Sequence, residues 1–392
     1  MRLFRRPSLR SLVLVALVLT LIVTNTRSRE AYLYRGQKGP LYDPARFSPG
    51  TAKPAGQNYT RVLVTTRLPG EDTSWLDRDL PDLPKKIYSI DATDSDSGSG
   101  NGPSATNRGS EEAVAYLSYI IDHYDALPDI VLFFRPAKKS RYNNVVLDAD
   151  TGVTIKLLSD AHVMRQGYFN ARCHLDPGCP DWLHVDQPVR KYDLVRKPAE
   201  PALTSALFHD LFGHDTPIPR ALSQPCCAQF AVSGERIRQR SVDEYRHYRA
   251  WLKRTSDDSS SSRFSATILE YSWQYIFTGL FEFCPSPHRC LCDGYGVCFE
   301  GRERGLRRWL ESFDAKEGLD AQLLALWTGA DGGGRSDSDS DSDSNTFKDL
   351  KNRRGRLGRE LDRARELAVR RGFDPRTRAR ECGRPWRAGD GF

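Results

Sequence analysis

Eight of the nine cysteines fall between residues 173 and 298, at Cys173, Cys179, Cys226, Cys227, Cys284, Cys290, Cys292 and Cys298, and nothing else in the 392 residues constrains the fold as strongly. An even, clustered set reads as a disulfide framework when the chain enters an oxidising compartment. The rival is zinc, with His288 near Cys290-x-Cys292, but the spacing fits no common zinc pattern. Adjacent Cα atoms lie ~3.8 Å apart, below the usual ~4.4 Å minimum for a disulfide, so Cys226 and Cys227 are each expected to reach a different partner. Cys382 is left over in the basic C-terminal stretch.

The N-terminus supplies the compartment. Arg2, Arg5, Arg6 and Arg10 precede an apolar run from Leu12 to Val23. Basic residues before an apolar run hold the N-terminus in the cytosol and send the rest across the membrane. The run spans roughly 20 Å as a helix, short of the ~27 Å of a thin endomembrane. A cleaved signal peptide and a signal anchor both fit that length. Thr24-Asn25-Thr26-Arg27 is a poor cleavage site, which favours the anchor. The expected protein is a single-pass type II membrane protein with its body in the lumen of the endoplasmic reticulum or Golgi, or a secreted one if the segment is cleaved. Asn58-Tyr59-Thr60 is a glycosylation acceptor, placing Asn58 on the surface after a Gly/Pro-rich stretch that reads as a stem over residues 31–59.

Charge separates the chain into zones. Residues 1–30 carry +5 and residues 346–392 carry +8 of a net charge of +7, leaving −6 on residues 31–345. The basicity belongs to the ends, and in this compartment it argues against nucleic acid as a partner. Low-complexity segments at 92–110 and 256–262 read as inserted loops, and the Gly-rich and Ser-Asp stretch at 329–345 as a linker. A globular domain is expected over 60–328. The tail, 346–392, is expected as a solvated helix or as disorder. Within the domain, Arg61–Thr66, Lys86–Ile90 and Asp129–Phe134 are β-rich, and Glu111–Tyr124 shows a helical stripe. Helices are further expected at Pro201–Phe212, Val242–Arg254 and Ser265–Phe277. This order predicts an α/β fold, a mixed sheet flanked by helices, with a disulfide-rich C-terminal half. Trp273 and Tyr275 are expected in the core.

The residues that carry candidate chemistry are few. Asp148-Ala149-Asp150 follows Val145-Val146-Leu147, and two carboxylates two residues apart at a strand end can hold a divalent cation such as Mn or Mg. Asp293, in Asp293-Gly294-Tyr295-Gly296, sits either in a tight turn or in a pocket. No H-E-x-x-H, G-x-S-x-G or P-loop motif is present, so the markers of zincins, α/β-hydrolases and P-loop NTPases are absent.

Five motifs together, Glu111–Asp129, Arg165–Leu183, Gln224–Phe230 (QPCCAQF), Glu270–Gly279 and Cys292–Phe299 (CDGYGVCF), resemble one fungal family of uncharacterised secretory proteins, known as a domain of unknown function. The front half, with Glu111 opening a Tyr-Leu-x-x-Ile-Ile helix, is similar to glycosyltransferase-like families. That resemblance implies a nucleotide-sugar glycosyltransferase-like fold, a nucleotide sugar and a glycan as partners, and Asp148 and Asp150 holding a metal in a pocket with Glu111 or Asp293. One departure stands out: where the family carries a run like H-x-H-R-x-x-W-H-N, this chain has Arg135-Pro136-Ala137-Lys138-Lys139-Ser140-Arg141-Tyr142-Asn143. The missing histidines favour the alternative, a non-catalytic, disulfide-stabilised binding or scaffold protein of the secretory pathway. If the body is lumenal, glycosidase treatment of the protein expressed in its secretory host shortens its apparent mass on a gel. Asn58→Gln abolishes that shift.

Overall fold

The computed structural model describes residues 40–90, 105–186, 197, 199, 203–257, 262–330, 340–388 and 391. The expected anchor at 1–30 lies outside them, as do residues 31–39 of the stem and 331–339 of the linker. No helix among the described residues is long and apolar enough to cross a membrane.

The chain opens with β1 (Arg61–Arg67), α1 (Trp75–Asp79), β2 (Lys85–Ser89), α2 (Ala105–Asp122) and β3 (Ile130–Phe133). It continues through α3 (Thr151–Leu157), α4 (Asp160–Gln166), β4 (Tyr168–Asn170), α5 (Ser205–Phe212), β5 (Phe230–Ser233) and α6 (Gly234–Ile237). Then follow α7 (Val242–Asp257), α8 (Ser262–Glu270), α9 (Trp273–Thr278), α10 (Pro287–Arg289), a π-type turn at Cys290–Gly294, α11 (Glu303–Ala330), α12 (Ser340–Gly372) and α13 (Pro375–Glu381). The five strands form one mixed sheet in the order β2-β1-β3-β5-β4. β1 pairs in parallel with both β2 and β3, whereas β5 runs antiparallel to β3 and β4. The parallel centre is buried on both faces, so β3 is a continuous apolar run and β1 carries Val62-Leu63-Val64 followed by two buried threonines, with no alternation in either.

Each face of the sheet has its own core. Tyr116 of α2, Phe133, Phe230, Trp251, Trp273 and Phe277 fill one side; Leu63, Trp75, Leu132, Phe169, Leu291 and Trp309 fill the other. Trp273 and Tyr275 are core residues, as expected. The single helix expected over Ser265–Phe277 is two, α8 and α9, broken at Tyr271-Ser272. Val145–Leu147 is a 3-10 turn and not a strand, and Asp148 and Ala149 after it take left-handed φ of 57° and 52°.

Two segments expected to stand free of the domain are part of it. Residues 40–59 lie along the body as a strap: Leu41 and Phe47 are buried, Asp43 N–H donates to the Thr278 carbonyl (2.7 Å), and Lys53 pairs with Asp129 (2.7 Å). The exposed Asn58 sits on this strap. The basic tail folds back as α12 and α13, burying Leu361, Ala368 and Ala379, and Cys298 N–H donates to the Ala368 carbonyl (3.0 Å). A few apolar positions hidden among arginines suffice to dock a helix that its composition presents as polar throughout.

Three disulfides join distant or looped segments: Cys173–Cys290, Cys179–Cys284 and Cys292–Cys298. The fourth corrects the expectation for the adjacent pair, because Cys226 and Cys227 bond each other with Cα atoms 3.7 Å apart. Left-handed backbone at Cys227 (φ 91°) and Ala228 (φ 47°) provides a geometry that the Cα spacing alone did not consider. Cys382 is the free thiol among the described residues. Cys173–Cys290 closes 117 residues of chain. Replacing both cysteines by alanine is therefore expected to lower stability by about 2–5 kcal/mol in denaturant unfolding.

Candidate functional site

β2 lies on one side of β1 and β3 on the other, so the order of the parallel strands reverses between β1 and β3. In open α/β sheets the carboxyl ends of the strands at such a reversal are where ligands are held. At that end of β3, Arg135 reaches between two acids. Its Nε is 3.2 Å from Glu112 Oε2 of α2, and its NH2 is 3.9 Å from Glu270 Oε2 at the end of α8. The Glu112 side chain is 3% exposed, but those of Arg135 and Glu270 are 28% and 20% exposed, so the row opens to solvent at one end. Glu112, then Glu270, hold the guanidinium more firmly protonated than usual, against the effect of burial. The half-buried Tyr142 ring lies beneath, with Arg135 and Arg141 Cζ 5.7 and 5.0 Å from its centroid.

The other carboxylate oxygen of Glu270 accepts the Cys227 N–H (2.7 Å), which ties the row to the vicinal disulfide. Arg172, two residues past β4, places NH1 against Cys226 Sγ and 3.2 Å from Cys227 Sγ, and its NH2 donates to the Asp176 carbonyl (3.1 Å). Buried amides fix this loop. Gln224 Oε1 accepts from Tyr168 Oη (2.8 Å) and Asn170 Nδ2 (3.2 Å), and Gln224 Nε2 donates to the Glu270 carbonyl. Gln229 Nε2 donates to Asn143 Oδ1 (2.9 Å), which anchors the Arg135–Asn143 loop to the start of β5. The result is a hydrogen-bonded, partly exposed polar cluster presenting two guanidiniums, one carboxylate and one aromatic ring.

The residues singled out from the sequence do not meet here. Asp148 accepts from Arg365 of the tail helix α12. Asp150 caps α3, its Oδ1 accepting from Val153 N–H (2.9 Å) and its Oδ2 facing Lys139 Nζ at 3.4 Å. Their oxygens face cations and a helix N-terminus, an arrangement that does not suit a divalent ion. Glu111 is exposed, and its neighbour Glu112 is the acid that points inward. Lys138 pairs with Asp79 (2.5 Å), and Lys139 also donates to the Asp148 carbonyl (2.8 Å). Among the described residues one set of three metal-type ligands has its donor atoms within 4.8 Å, namely Cys226, Cys227 and Glu270. With both sulfurs bonded to each other and a guanidinium against them, it is not built for a cation.

Asp293 is instead the centre of a buried structural cluster. Its Oδ2 is 2.9 Å from His162 Nδ1, while Oδ1 is shared by Arg384 (3.4 Å) and Arg165 (3.8 Å), and its carbonyl accepts from Arg378 (2.6 Å). Burial opposes charge on Asp293, but the groups around it, His162 and the arginines, prevail and hold the carboxyl well below the usual carboxylate range. Burial keeps His162 neutral, so its Nδ1 carries the proton and donates. A carboxyl depressed in the folded state stabilises fully above its unfolded value of ~3.9 and loses that effect as pH falls through the folded value. Asp293→Asn is expected to cost about 3–5 kcal/mol at neutral pH, because the arginines lose their partner. It also flattens the decline in stability below about pH 4; urea melts across that range measure both effects.

The sequence profile of a family described as "Protein of unknown function (DUF3431)" matches residues 63–293, more than half of the chain. No curated protein matches, and no solved structure matches.

Proposed function

The chain belongs to the DUF3431 family, and from that premise we propose that it is a disulfide-stabilised glycan-binding protein of the secretory pathway, held at the membrane by residues 1–30. Its ligand lies on the polar cluster at the carboxyl ends of β3 and β4. The observation that carries this reading is Arg135, fixed between Glu112 and Glu270 with its outer edge open, and Arg172 on the same rim. A guanidinium and a carboxylate side by side donate to and accept from neighbouring sugar hydroxyls or an acidic sugar group, and the Tyr142 ring offers a flat surface for a sugar face. The amide network holds these groups in place before a ligand arrives, which limits the ordering cost of binding.

Binding is favoured over transfer because Asp148 and Asp150, the residues expected to grip a metal against a diphosphate, are engaged by Arg365, Lys139 and the start of α3. A glycosyltransferase-like activity is the second reading. It draws on the partly open Glu270, a carboxylate at the strand ends where an attacking hydroxyl could lose its proton.

The test is calorimetric titration of the full-length, detergent-purified protein with UDP- and GDP-sugars and with neutral, sulfated and uronic-acid oligosaccharides. The expected result is saturable binding of an oligosaccharide, weakened roughly tenfold or more by Glu270→Gln. Binding of none of these compounds would remove both readings. Product formation from a nucleotide sugar would replace the first by the second.

A further inference from the structure

A recess of about 190 Å³ lies between α11 and the segment that follows β4. Its walls come from two separate apolar clusters. Val146, Leu291 and Leu306 belong to the core on one face of the sheet, and Leu310 packs partly buried against that core. Leu175 belongs to a small satellite core with Cys179 and Cys284. Cys173, two residues before Leu175, is bonded to Cys290, next to Leu291, so a cross-link joins the two walls and puts a sulfur on the lining. Packed interiors leave few gaps larger than a water molecule, and the lining of a gap forfeits dispersion contacts on its open side.

One polar side chain meets this apolar space without a partner. His174 lines the recess and is mostly buried, and its ring makes no hydrogen bond or ion pair with any described residue. Burial, then the neighbouring Arg172, push the imidazole down to about 4, so it is neutral at every ordinary pH. A neutral imidazole has one donor and one acceptor nitrogen, and a hydroxyl group can meet either. An ordered water needs roughly two to four polar partners, whereas these walls are chiefly aliphatic. Apolar cavities of about 150 Å³ take up a benzene-sized ring, so the volume here admits a ring with one substituent. The wall sulfur favours an aromatic ring over an aliphatic one.

We propose that this recess is a binding site for a phenol ring, its faces packed between Leu175 and Leu306 and its hydroxyl hydrogen-bonded to His174. The ring can come from a small free phenol or from a tyrosyl side chain. The site uses neither Arg135 nor Glu270, so it stands apart from the glycan reading.

The experiment is fluorine NMR of the full-length, detergent-purified protein with para-fluorophenol and with fluorobenzene, which lacks the hydroxyl, against protein-free micelles as the blank. The expected result is a saturable bound signal for para-fluorophenol, with fluorobenzene roughly tenfold weaker. His174→Leu is expected to abolish that preference while leaving the recess apolar. Leu310→Phe fills the space and is expected to remove saturable binding of both compounds. Displacement of the bound para-fluorophenol by N-acetyl-tyrosinamide identifies a tyrosyl side chain as an acceptable source of the ring; no displacement confines the site to free phenols. Binding no greater than the micelle blank overturns the proposal. So does a preference for the hydroxyl that His174→Leu leaves intact, or binding that Leu310→Phe leaves intact in a variant that melts like the parent.

Discussion

One ionised carboxylate, that of Asp293, organises the C-terminal half of this protein. It sits on the π-type turn at Cys290–Gly294, which Cys173–Cys290 ties to the residues after β4 and Cys292–Cys298 closes on itself. From there it receives His162 and Arg165 of α4 and Arg378 and Arg384 of the tail. A buried charge is tolerable only when its partners are all present, so the sheet-packing helix, the cross-linked turn and the tail are held to one arrangement. Gly294 shows how close the packing is: a Cβ there would come within 2.4 Å of the Phe169 ring.

The same construction explains why the two ends of the sheet differ. At the carboxyl ends, acids and guanidiniums alternate, Glu112, Arg135 and Glu270 in turn, and the charge is nearly balanced while the rim stays open. At the amino ends, Lys53, Arg165, Arg378 and Arg384 line a recess of about 1280 Å³, with Asp160 the acid among the described lining residues.

Much of the fold was legible in the sequence because it rests on local patterns. β1, β2 and β3 are β-rich runs within a residue or two of their observed bounds, and of the stripe Val114, Leu117, Ile121 on α2, Leu117 is buried and the other two pack partly buried against the same core. What escaped depends on contacts between residues far apart. Glu111 and Glu112 are adjacent and alike in type, and only the packing of α2 decides that Glu112 faces Arg135. Asp148-Ala149-Asp150 has the spacing of a metal site, but Arg365, 217 residues on, turns one carboxylate away. The bond between Cys226 and Cys227 depends on left-handed backbone that neither residue type favours. The tail reads as solvated because its buried face is only a few residues wide, and its anchoring arginines look like any others until Asp293 is placed beneath them. Nor does the sequence reveal that Glu270 contacts both Cys227 of the QPCCAQF motif and Arg135 after β3.

The docked tail is held by contacts of two depths. Arg365–Asp148 and Arg354–Asp320 lie at the surface, where dissolved ions shield them within about 8 Å at physiological salt. The arginines on Asp293 lie where such shielding scarcely reaches. Added salt therefore weakens the outer ion pairs of this appendage before those on Asp293, while the burial of Leu361 and Ala368 is untouched by it.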